Sequence, residues 1–163
     1  MPDTFIDDNQ TAYKKFSKVE NDFYKSFSDY KDQLEAIDLK KSKQVTNEEI
    51  RQVDILALKT EEAFEAYIKL KSVILNQFEL IFQKANKIKK IAALYINTPE
   101  AALEHNKCRL ILKEAEELKI ADHIILAIEK VNKAKNEFLK LILDIKKHWL
   151  KKHQEVINKL YIT

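Results

Sequence analysis

Residues 47–96 read NEEIRQVDILALKTEEAFEAYIKLKSVILNQFELIFQKANKIKKIAALYI. No glycine or proline interrupts the stretch, and its apolar residues keep one period. Val53, Thr60, Tyr67, Ile74, Ile81, Ile88 and Tyr95 fall every seven residues. Ala57, Phe64, Lys71, Phe78, Ala85 and Ala92 form a second row four residues on. Only Thr60 and Lys71 depart from apolarity. A seven-residue repeat of this length is the pattern of left-handed helix packing. An unbroken helix of about 50 residues would span about 75 Å at 1.5 Å per residue. Leu56, Leu70, Val73, Leu80, Phe82 and Ile91 widen its apolar face beyond one seam, which predicts more than one neighbour. The lysine at 71 can lay its stem along the core and carry its ammonium outward.

Both ends of this segment carry stop and start signals. Ahead of it, Thr46-Asn47-Glu48-Glu49 has the form of a capping box, preceded by a loop at 38–46 that breaks the apolar pattern. Behind it, Asn97-Thr98-Pro99-Glu100 predicts a corner at 97–99. Thr98 suits an N-cap, Pro99 the first helical turn, and Glu100 the positive end of the helix dipole.

Upstream, residues 9–37 place Tyr13, Phe16, Val19, Phe23, Phe27, Tyr30, Leu34 and Ile37 at steps of three or four. This is a helix with an aromatic stripe. Residues 1–9 are expected to be loose, with Phe5 and Ile6 available as a staple on the helix. Downstream, Leu103, Cys108, Ile111, Leu112, Ala115 and Leu118 form the inward face of a third helix. The apolar phase slips near 118–124, which favours a kink or break near 119–122 with Asp122 as cap of a fourth helix over one helix running from Pro99 to about Leu160. Ile124, Ile128, Val131, Phe138, Ile142, Ile145, Trp149, Val156 and Leu160 make its stripe.

The 163 residues contain no glycine and two prolines, Pro2 and Pro99. Glycine supplies positive φ at turns, bulges and helix C-caps, so a chain without it favours helices joined by few loops. At this length roughly two-thirds of the unfolded surface can be buried without disulfides or metal. The expected fold is all-α: one domain over 1–163, an elongated antiparallel bundle of about four helices, two of them long and coiled-coil-like.

The absence of glycine also removes the dinucleotide fingerprint, the P-loop and the nucleophile elbow. A di-iron bundle site needs Glu-x-x-His on facing helices. None of His105, His123, His148 and His153 has an acid three residues before it. Cys108, the single cysteine, has His105 one turn away but no sign of an oxyanion donor, and reads as a small buried hydrophobe. Glu61/Glu65 and Glu100/Glu104 share helix faces with polar neighbours and read as solvated. No enzymatic activity, metal or cofactor is expected.

One cysteine, no apolar leader with basic flanks and no long apolar run predict a reduced, cytoplasmic setting without a standard signal peptide or transmembrane span. Net charge is +3, but residues 1–82 carry −4 and residues 83–163 carry +7. Lys130, Lys133, Lys140, Lys147 and Lys151 follow one face of the fourth helix. That face could meet nucleic acid or an anionic surface. Glu137 and Asp144 interrupt it, however, and only Arg51 and Arg109 could make the bidentate contacts of base readout. The leading expectation is a protein–protein interaction module acting as adaptor, chaperone-like binder or assembly subunit. Its partner would be another protein or a second copy, met through apolar surface on helices longer than their neighbours.

Overall fold

A computed structural model describes residues 2–40 and 44–162 of the protein, and the side chains of those from Thr11 onward. Four helices account for nearly all of it: α1 (Pro2–Asp38), α2 (Asn47–Leu94), α3 (Pro99–Ile120) and α4 (Ile124–Ile162). No strand occurs among the described residues. The all-α expectation holds; α1 ends at Asp38, α3 opens at Pro99, and α4 opens at Ile124 after α3 ends at Ile120. The N-terminus differs, because α1 begins at Pro2 rather than near Asn9. Proline suits a first helical position, since its missing N–H has no partner there in any helix. The staple at Phe5 and Ile6 lies outside the described side chains.

Packing divides the chain into two compact units, Met1–Val73 and Ile74–Thr163, and α2 contributes to both. In the first unit α1 and α2 run antiparallel. Phe16 stacks on Tyr67 at 5.9 Å between ring centroids, while Phe23 meets Phe64 at 5.2 Å and Tyr67 at 5.5 Å. Thr60, the polar residue of the α2 seam, is buried, and its hydroxyl lies 2.7 Å from the Leu56 carbonyl and 3.1 Å from that of Ser26. A buried hydroxyl is tolerated when it finds such acceptors. Lys71 is half-buried, with its ammonium 5.5 Å from the centre of the Tyr67 ring.

The second unit is an up-down-up arrangement of the end of α2, α3 and the first part of α4. Lys119 of α3 bonds Glu79 of α2 at 2.5 Å, and His105 Nε2–H donates to the Lys89 carbonyl at 3.2 Å. Lys130 of α4 pairs with Glu114 of α3 at 3.4 Å, and Phe138 packs on the His105 ring at 5.2 Å. The core centres on Ile74, Phe78, Ile128, Val131 and Phe138. Ala85, Ala92, Ala115, Ala127 and Ala134 are fully buried between them, and such small residues let helices approach at the short end of the usual 8–10 Å range. Leu103, expected inward, is exposed; Ala101 is buried instead.

The caps account for the corners. Thr98 has extended backbone and accepts from Ala101 N at 3.1 Å, with Pro99 in the first turn. Thr46 accepts from Glu49 N at 3.2 Å. The reciprocal half of that capping box is not made: Glu49 Oε1 takes Lys40 Nζ at 2.6 Å, and Oε2 has no hydrogen-bond partner.

The α3–α4 corner is a Schellman motif. His123 N donates to Leu118 O at 2.9 Å, and Asp122 N to Lys119 O at 3.0 Å. Asp122 takes the left-handed position, φ 66°, that glycine would ordinarily fill. Asp122 was expected to open α4, but its backbone closes α3. Asp122→Ile is expected to destabilise the second unit by about 1–2 kcal/mol, since a β-branched residue tolerates positive φ poorly. Thermal melts followed by far-ultraviolet circular dichroism measure this, and an unchanged melting temperature would refute the assignment.

Candidate interaction surface

The groups that could carry chemistry are dispersed or sealed. Among the described residues no three His, Cys, Asp or Glu side chains gather as a metal set. Cys108 is buried, and that burial, helped by the charges of Glu137 and Glu104, pushes its thiol pKa up, away from nucleophilic use. His105 is held by the Lys89 carbonyl and the Phe138 ring, while His123, His148 and His153 are exposed. Glu61, Glu65, Glu100 and Glu104 are exposed as well.

The five lysines of the expected basic face do not form one free set. Lys130 is half-buried and engaged by Glu114. Lys133, Lys140, Lys147 and Lys151 stand exposed along one side of α4. A shallow cleft between α2 and α3 adds Lys89, Arg109 and Lys113, but Glu116 shares it.

The longest stretch of uncovered apolar surface lies further along α4. Helix α3 has 22 residues and α4 has 39, so their antiparallel pairing uses up α3 near Ile145. From Lys146 to Ile162 every residue is exposed. Trp149, Val156 and Leu160, which continue the α4 stripe, are 51%, 47% and 71% exposed. Leu150, Ile157 and Tyr161 join them on the same side, with Tyr161 86% exposed. At the base of this segment a cleft of about 560 Å³ is lined by Leu94, Tyr95, Ile142, Ile145 and Trp149. Leu94 and Tyr95 are themselves largely exposed, so the apolar surface continues from the α2–α3 corner onto α4.

The chain matches no family model, no curated protein and no solved structure. Its functional reading therefore rests on its own residues. No helix among the described residues is long and apolar enough to cross a membrane. What the surface offers is an uncovered amphipathic helix of about five turns standing on a packed three-helix unit.

Proposed function

We propose that the protein is a non-enzymatic interaction module that works through apolar helix faces, foremost the last part of α4. The observation that supports this is the exposure of every residue from Lys146 to Ile162 while the apolar stripe runs on. A monomer rarely leaves such a stripe in water without use. The adaptor, chaperone-like and assembly roles share this requirement, as does self-association. A reduced, cytoplasmic setting suits its single buried cysteine.

A nucleic-acid role through Lys133, Lys140, Lys147 and Lys151 is the second reading, favoured by their shared exposed side. It leaves the neighbouring apolar stripe without a purpose, and arginine is scarce.

The test is affinity capture from a native lysate that keeps its membranes, using the full chain and an L150E/I157E double variant, at low and high salt and with nuclease. Tail-dependent capture that resists nuclease is expected. Identical capture by both chains would overturn the proposal, and material released by nuclease alone would transfer support to the second reading.

A further inference from the structure

We infer that residues 146–162 of α4 are an interfacial helix for an anionic lipid bilayer. This names the partner of the docking face and so rests on the reading that this face is the working surface.

At 100° per residue, Trp149, Leu150, Val156, Ile157, Leu160 and Tyr161 fall on one arc roughly 140° wide. Ile162 alone of the apolar residues lies off it. Lys146 and His153 are the polar residues on the arc. Lys146 stands at the platform end, and the His153 ring lies against Trp149, 4.4 Å between centroids. Lys147 and Lys151 flank one edge of the arc, and Lys152 and Lys159 flank the other. The segment thus sets five lysines against one acid, Glu155.

An apolar arc with lysines on both borders is the arrangement that lies in the plane of a bilayer interface. The apolar residues enter the boundary between headgroups and acyl chains, and the lysines reach the phosphates. Trp149, Tyr161 and, beside the cleft, Tyr95 add amphipathic rings of the kind enriched at that depth.

Charge decides among occupants. A second copy would bring the same positive segment against this one. A nucleic acid would use the lysines and leave six apolar side chains in water. A groove on an acidic protein would need pairing chemistry that a single convex helix does not specify, whereas a bilayer asks only for the arc and its charged borders.

Trp149 is the chain's one tryptophan, so the segment carries its own probe. The full chain is mixed with vesicles of phosphatidylcholine alone, or of phosphatidylcholine with phosphatidylserine. Tryptophan emission, quenching by brominated lipid and co-sedimentation are read. With phosphatidylserine the emission should shift to the blue, bromine should quench it, and the chain should sediment. With phosphatidylcholine alone binding should be about ten-fold weaker or less, given the surface attraction of several lysines. L150E/I157E and K147E/K151E should each weaken binding to the anionic vesicles by about ten-fold or more. Both variants should keep the parental thermal melt, because the segment adds nothing to the core.

No blue shift and no sedimentation at low salt would overturn the inference. So would sedimentation that persists in L150E/I157E, since the contact would then be charge adhesion alone. Inert vesicles combined with tail-dependent capture of an acidic protein would overturn the bilayer while leaving the interaction module standing. Inert vesicles combined with tail-independent capture would remove both.

Discussion

Phe138→Ala should cost the second unit about 3–5 kcal/mol, the usual loss for truncating a buried aromatic. Phe138 has no solvent exposure and packs on the His105 ring at 5.2 Å. Its removal leaves a cavity that the surrounding structure closes only in part. Urea unfolding followed by far-ultraviolet circular dichroism gives the loss directly. Leu150→Ala, twelve residues on along the same helix, should change stability by about 0.5 kcal/mol or less, because a half-exposed side chain off the core forfeits little. The contrast is the decisive part of the measurement. Equal losses at the two positions would mean that the end of α4 is packed, and the docking face would disappear with that result.

Tyr67→Ala should have an effect of similar size, about 3–5 kcal/mol, in the first unit. Tyr67 is 4% exposed and lies against Phe16, Phe23 and Tyr24, so truncation removes the centre of the aromatic cluster. Near-ultraviolet circular dichroism during denaturation reports this cluster, and a loss below about 1 kcal/mol would show that the rings are not packed as described.

The phenol can be separated from the ring with Tyr67→Phe. Burial, with a further push from the hydrogen bond to Tyr24, raises the Tyr67 pKa from 10.0 to about 12, against the opposing pull of Lys71. The folded state therefore keeps a proton that the unfolded chain releases near pH 10. The associated stability is fully present below pH 10 and is lost as pH rises toward 12, amounting to about 2–3 kcal/mol. In Tyr67→Phe that part of the alkaline decline should vanish when the two chains are compared across the window. Parallel declines would place the phenol in water.

Most of the helical architecture can be read from the residues. The unbroken period from Val53 to Tyr95, the cap at Thr98-Pro99 and the lack of glycine are local signals, and local signals set helix bounds. The break between α3 and α4 was visible only as a slip of phase. Its left-handed residue is Asp122, which writes no glycine into the sequence. The start of α1 was misplaced because a polar, acidic opening looks loose whether or not the backbone is helical.

The apolar surface at the end of α4 was legible only in outline, as part of a helix longer than its neighbours. The stripe through Phe138, Ile142, Ile145, Trp149, Val156 and Leu160 keeps one period, yet its first part faces a core and its last part faces water. Period reports which side of a helix is apolar and is silent about whether a neighbour is there. The signal that locates it is a subtraction of lengths, since α3 stops 17 residues short of what α4 would need to be covered along its whole course. The lysines read as a basic face do share a side of α4. In the proposed bilayer contact Lys147 and Lys151, with Lys152, take the further part of borders to the apolar arc.

Cys108 gives this architecture a clock. It is the chain's one thiol, it sits between α3 and its neighbours with 3% exposure, and its proton is held more firmly than that of a free cysteine. A disulfide reagent reacts with the thiolate, so it must wait until the helices part and the proton leaves. The labelling rate of the intact chain therefore counts transient openings of the three-helix platform, from small breathing motions up to complete unfolding. Counting those openings with the end of α4 occupied and unoccupied would reveal whether what lands on the helix tip is felt at its root.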